Sequence, residues 1–191
     1  MLQMEMLWNA RSVLSGVINK TPLIPAGTVG EGGSLFLKAE CLQKTGAFKL
    51  RGAYYKIATL TEEEKRRGVI ACSAGNHAQG VAFAARDMGI HAVICIPEGA
   101  PLSKIEATRS YGAEGVLVPG VYDDAYNKAL ELDRECAAAM YGRAEVHRMN
   151  GDYQQFFSDI IPFLSNPQIG SKMKIEYLQQ LFQIPGFLKR Y

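Results

Sequence analysis

An α/β fold built on a doubly wound parallel sheet is what the 191-residue sequence predicts. Three observations point to it. From Gly68 onward, short all-apolar segments alternate with helical ones, the rhythm of a parallel sheet covered on both faces and wound right-handed. The helical segments carry apolar residues at spacings of three and four. A hydrophobic content of 48% against 21% charged residues suits an ordinary globular protein with a core of its own.

Taken in order, residues 5–18 place Leu7, Val13, Leu14 and Val17 among charges and predict an amphipathic helix. Thr21-Pro22 stops it, and residues 23–33, rich in Gly and Pro, read as a loop. Residues 34–39 predict a short buried strand, followed by a glycine-loosened turn and an apolar helix over 50–60. Thr61-Glu62-Glu63-Glu64 is a capping-box pattern that starts a short charged helix ending before Gly68. Strands are then expected at 69–73, 91–96 and 115–118, with helices at 76–88, 103–111 and 122–140. In the last of these Ala125, Ala129, Leu132 and Cys136 make one apolar face. Residues 144–147 predict one more strand. The final 41 residues break the rhythm and suggest two helical pieces, 152–161 and 171–183, the second with Ile175, Leu178 and Phe182 on one face.

Composition excludes several classes of partner. A net charge of +2 comes from interspersed basic and acidic residues, so no nucleic-acid stripe is indicated. The cysteines Cys41, Cys72, Cys95 and Cys136 form no C-x-x-C pair, which argues against a zinc site or a disulfide framework. Cys72 and Cys95 fall in apolar runs and read as buried small hydrophobes. No run is long enough to span a bilayer, and a reducing cytoplasm fits.

Two stretches carry chemistry. In residues 44–53 one lysine, Lys49, stands beside Phe48 at the start of an apolar helix. An ammonium pressed against apolar surface loses hydration, so the neutral amine needed for Schiff-base formation becomes accessible. Residues 73–80, Ser-Ala-Gly-Asn-His-Ala-Gln-Gly, follow a strand and open a helix. Backbone N–H groups freed at a helix N-terminus seat a small anion, and Ser73, Asn76, His77 and Gln79 add directed donors and acceptors. The GxGxxG of a dinucleotide fold and the lysine of a P-loop are both missing from this stretch. A nucleophilic lysine and an anion loop, both at carboxyl ends of strands, suit an amino acid held by its carboxylate beside a carbonyl cofactor.

With those stretches, Lys20-Thr21-Pro22-Leu23, Lys38-Ala39-Glu40, and Pro97-Glu98 through Lys104 with Tyr111-Gly112-Ala113 complete an ordered set. The set resembles the fold type II pyridoxal-phosphate enzymes, specifically the threonine and serine dehydratases, with serine racemase as a close relative. The resemblance covers residues 8–150, the N-terminal portion of such an enzyme, with its C-terminal half missing. It implies a tryptophan-synthase-β-like architecture: a complete small doubly wound α/β domain at 62–150, preceded at 1–61 by part of the large cofactor domain and followed at 151–191 by a divergent helical tail. It also implies pyridoxal 5'-phosphate as cofactor, with Lys49 as the Schiff-base lysine and α-proton base, Phe48 packing on the cofactor ring and Asn76 bonding its phenolic oxygen. Ser73, Asn76 and His77 would hold the substrate carboxylate. The implied reaction is β-elimination and deamination of threonine or serine, a step used in isoleucine biosynthesis. His77 stands where the cysteine-synthase branch typically has threonine, and Ala74 where the racemase branch has its second acid-base serine. Both departures favour elimination.

The family's glycine-rich phosphate loop has no counterpart after Asn150, where Gly151, Gly170 and Gly186 are isolated. Three readings stand on the sequence: a dehydratase or part of one, an interaction protein whose apolar tail docks on another chain or forms a homo-oligomer, and a truncated product whose tail has no selected role.

Overall fold

A computed structural model describes residues 4–30, 32–133, 137–167 and 169–184. Cys136 and Gly186, which figure in the sequence reading, lie outside the described residues. Contacts divide the chain into residues 2–129 and residues 130–191.

In the first unit, helix α1 (Met4–Leu14) is followed by strands β1 (Leu23–Val29) and β2 (Gly33–Lys38), paired antiparallel. The loop expected over 23–33 is therefore largely a strand. Pro25 pairs with Phe36 next to a bulge, where the register shifts between Pro25 and Gly27, in a strand with one partner among the described residues, a setting that tolerates proline. The burial expected for 34–39 is met only at Ala39, since every residue of both strands is exposed. A two-stranded hairpin has no third strand or covering layer among the described residues. Leu23, Ile24, Leu35, Phe36 and Leu37 accordingly face solvent.

Helix α2 (Lys49–Ala58) and helix α3 (Glu62–Arg67) come next, the latter with the expected capping box between Thr61 and Glu64. Strands β3 (Val69–Cys72), β4 (Ala92–Pro97) and β5 (Glu114–Val118) form a parallel sheet in that order, with helices α4 (Asn76–Asp87) and α5 (Leu102–Ser110) as crossovers. The parallel sheet and its rhythm match the sequence reading. β4 is buried over most of its length, whereas β3 and β5 are only partly so. Cys95 is buried and Cys72 half-buried.

The core of this unit is where α2 meets α4. Leu50, Ala53, Tyr54 and Ile57 of α2 face Ala78, Val81, Ala82 and Ala85 of α4, and Ile94 and Ile96 of β4 lie in the same cluster. Small residues on α4 let the helix axes approach closely. At Gly80 a methyl group would sit 3.3 Å from the backbone N and Cα of Leu50 and from the Cβ of Ala53. Helix α6 (Tyr122–Leu132) follows β5.

The second unit contains α7 (Ala137–Asn150), α8 (Tyr153–Ser165) and α9 (Ser171–Phe182). The strand expected at 144–147 is instead helical. The run holds Ala, Met, Arg and Glu with a single β-branched residue, Val146, so intrinsic propensity favours helix. Pro162 does not end α8 as expected, because burial of Ile160 and Phe163 on either side of it, each 2% exposed, keeps the helix going to Ser165. Nor is the face of α9 the one expected. Tyr177 and Leu181 are buried, while Ile175 and Phe182 are exposed.

These helices share a core of Ala144, Phe156, Ile160, Phe163, Tyr177 and Leu181. The Tyr177 hydroxyl donates to Glu145 Oε1 at 2.6 Å, and burial, with that carboxylate beside it, pushes the phenol's pKa up. Arg143 pairs with the buried Asp159 at 2.7 Å. No helix among the described residues is long and apolar enough to cross a membrane.

Candidate active site

Lys49 is the first residue of α2, reached through a tightly held loop. Buried Gln43 bridges backbones, its Oε1 accepting from the N–H of Asn19 at 2.9 Å and its Nε2 donating to Asn19 O at 3.1 Å. Gly46 turns the chain at a φ of +68°, a conformation that favours glycine. Tyr111 donates to the carbonyl of Lys44 at 3.3 Å, and the Lys44 ammonium lies 5.5 Å from the Phe83 ring centroid. In the first turn of α2, Arg51 makes a two-pronged contact with Glu40, Nε to Oε2 at 2.9 Å and NH2 to Oε1 at 2.7 Å. Thr21 donates to the same carboxylate at 2.5 Å. The loop before Lys49 and the helix after it are thus fixed independently.

That contact has a pH signature. The Arg51 fork and then the Thr21 hydroxyl, opposed by burial, hold Glu40 down to about 2 from 4.5. A carboxyl whose folded-state pKa lies below its unfolded value stabilises the fold fully above the unfolded value, and the gain is lost as pH falls through the folded one. Glu40→Gln is expected to cost about 2 kcal/mol in denaturant unfolding at pH 7, the scale of hydrogen bonds to a charged group. The gap from wild type should shrink as pH drops from about 5 toward 2, and a gap that ignores pH would rule out this ionic contact as its source.

Lys49 itself is exposed, and Phe48 before it is 61% exposed. The expectation that Lys49 is pressed against apolar surface is not met, because nothing among the described residues packs over this helix start. A cation at a helix N-terminus also opposes the helix dipole, and the first turn of α2 contains no acid to offset it. The next residue, Leu50, is fully buried, so the amine is free while its backbone is immobile.

The second stretch lies against the same helix. Ser73 follows β3, and its buried hydroxyl accepts from the N–H of Gly75 and the N–H of Ala78, both at 3.3 Å. With both lone pairs engaged, the hydroxyl proton is left to point away from the loop. Tyr122 accepts from the N–H of Ala74 at 3.1 Å and pins the turn. Asn76 and His77 occupy the first turn of α4, before intrahelical bonding begins. Asn76 Oδ1 accepts from Lys104 Nζ at 2.7 Å. His77 is exposed as a residue, yet crowding of its ring and then the Lys49 charge hold its pKa below the ordinary value. The Lys49 amine and the 73–77 loop therefore sit at one end of the α2–α4 pair, within electrostatic reach of each other.

Sequence reasoning gives roles to Ser73, Asn76, His77, Phe48 and Lys49 but none to the residues that hold them. Gly80 closes α2 onto α4, Lys104 bonds Asn76, and Tyr122 clamps Ala74. A cation in the first turn of α5, at odds with its dipole, was the available signal for Lys104.

A lysine amine and a helix start whose free N–H groups favour an anion thus lie at one end of the α2–α4 pair. The chain belongs to the pyridoxal-phosphate-dependent enzyme family, whose profile matches residues 14–170. It is 49% identical over 140 residues to the L-threonine ammonia-lyase of Thermotoga maritima, covering 72% of this chain and 35% of that protein. It is 46% identical over 125 residues to the catabolic L-threonine dehydratase TdcB of Escherichia coli K12, covering 64% of this chain and 38% of that protein. The chain thus spans little more than a third of these relatives' length. Among solved structures, maize serine racemase superposes with a TM-score of 0.64 at 30% identity, covering 75% of this chain and 47% of that one. Threonine deaminase isoform 2 of Solanum lycopersicum gives 0.59 at 30% identity, covering 78% and 47%. These likenesses accord with a fold type II architecture of which this chain is a part.

The residues present fit the ring end of pyridoxal phosphate. Lys49 offers an accessible primary amine, and the Asn76 amide, its oxygen taken by Lys104, has a donor to spare.

Proposed function

We propose that this chain carries the lysine-bearing part of a threonine (or serine) dehydratase, which converts L-threonine to 2-oxobutanoate and ammonia, or serine to pyruvate and ammonia. The single observation behind this reading is the convergence of the Lys49 helix start and the 73–77 loop across the close approach at Gly80. Bound pyridoxal phosphate would supply the electron sink that stabilises charge at the substrate Cα. Lys49 would hold the cofactor through its amine and take the α-proton. Phe48, exposed beside it, would cover the ring, and the Asn76 amide would donate to the ring's phenolic oxygen. The free proton of Ser73, with the first-turn amides at Asn76 and His77, would seat the substrate carboxylate. His77, its pKa lowered, remains neutral near pH 7 and adds a polar contact without a second positive charge. We place the reaction in the cytoplasm, with 2-oxobutanoate feeding isoleucine synthesis.

Residues 1–61 are proposed to belong to a large cofactor domain and 62–150 to a small one. The exposed apolar hairpin β1–β2 supports a second reading, in which this surface docks on a chain that supplies the rest of the large domain, or on another copy of this one. The test is product release. The full chain, given pyridoxal phosphate and threonine or serine, is expected to form 2-oxobutanoate or pyruvate, and addition of a co-expressed C-terminal half should raise the yield. Neither product under either condition would sink the dehydratase reading. Failure of the two chains to co-elute would remove the docking one.

A further inference from the structure

Lys104 is an unusual residue for its place. It is the third residue of α5, in a first turn that holds no acid, so its charge opposes the helix dipole. Its backbone is anchored where it stands: the fully buried Thr108 donates through Oγ1 to the Lys104 carbonyl at 2.8 Å, and the next residue, Ile105, is buried. The half-buried side chain ends 2.7 Å from Asn76 Oδ1.

An ammonium has three donors and no acceptor. Only the oxygen of the Asn76 amide can face it, so the amide's NH2 must point the other way, where it meets no acceptor among the described residues. Without a neighbour of fixed polarity, an asparagine amide can turn over and present either oxygen or nitrogen. An anionic phenolic oxygen would be attracted by one face and repelled by the other.

We propose that Lys104 is a positioning residue that sets the polarity of the Asn76 amide, so that a hydrogen-bond donor, never the carbonyl, is presented to the phenolic oxygen of pyridoxal phosphate. The charge on Lys104 also polarises the amide and strengthens the bond its NH2 donates. This rests on the reading of Asn76 as the phenolic-oxygen partner, but the Lys104–Asn76 bond is observable without the cofactor.

The experiment compares the full chain with Lys104→Met, Lys104→Gln and Lys104→Arg. The first readout is the side-chain NH2 signal of Asn76, assigned by its loss in Asn76→Ala, in proton–nitrogen correlation spectra without cofactor. Lys104→Met and Lys104→Gln should move this signal, the former toward the position of a solvated asparagine, and Lys104→Arg should restore it. The second readout is pyridoxal phosphate affinity by absorbance titration, expected to weaken about tenfold in Lys104→Met, the scale of one charge-assisted hydrogen bond, and to recover in Lys104→Arg. An Asn76 signal unmoved in both Lys104→Met and Lys104→Gln, or affinity unchanged while wild type binds, overturns the proposal. If wild type binds no cofactor at all, the reading of the site fails instead, and the orienting role stands or falls on the amide signal alone.

Discussion

Lys49→Ala is expected to abolish, not merely reduce, the visible-edge absorbance that the wild-type chain acquires with pyridoxal phosphate, and to bring threonine-dependent product to background. The expectation is absolute because neighbouring lysines cannot substitute. Lys44 lies over the Phe83 ring, and Lys104 is bonded to Asn76. Covalent attachment requires a free primary amine within reach of the cofactor's aldehyde carbon, and no shorter side chain at position 49 offers one. The loss should not be a folding effect. Lys49 is exposed, and removing a cation from a helix N-terminus is neutral or favourable by about 0.3–1 kcal/mol. An unchanged melting curve together with a vanished band is the expected pair of results. Equal absorbance in variant and wild type would mean that the cofactor is held elsewhere.

Gly80→Val is the second large effect, and it runs against helix propensity. A glycine inside a helix costs about 1 kcal/mol relative to alanine, so filling it would ordinarily stabilise. Here the added Cβ would lie 3.3 Å from Leu50 N and Cα, both backbone atoms of a helix that cannot yield without moving Lys49. A branched side chain at this contact is expected to cost about 2–3 kcal/mol in denaturant unfolding, the scale of core overpacking. It should also weaken cofactor binding, because α2 and α4 separate at the end where the site lies. Gly52 in α2 supplies the control. Nothing lies within 4 Å of a methyl group there, so Gly52→Ala is expected to stabilise by about 0.5–1 kcal/mol. Were both variants to stabilise, the close approach of the two helices would not be what limits position 80.

What could be read in advance follows from which forces act locally. The strand–helix rhythm from Val69 to Leu132 was legible because burial on a parallel sheet writes itself into short apolar runs. The capping box at Thr61 was legible because its four residues contain the whole interaction. β1 was not, since Pro25 and Gly27 look like punctuation until a partner strand with a bulge is present. Residues 144–147 are helical where the βα rhythm predicts a strand, because alanine-rich sequence has replaced that rhythm by this point. At the site, Lys49, Asn76 and Ser73 could be picked out as motif residues. Their supports could not, because the Glu40–Arg51 pair, the Gly80 contact and the Lys104–Asn76 bond join residues 11 to 30 positions apart whose pairing only the fold creates.

Lys49 is proposed as the amine that takes the cofactor. Reduction of the full chain with borohydride in the presence of pyridoxal phosphate, followed by proteolysis and mass spectrometry, locates that amine. A single pyridoxyl group on the peptide containing Lys49 is the expected result. Label on Lys38, Lys44 or Lys104, or spread evenly over the surface lysines, would contradict it.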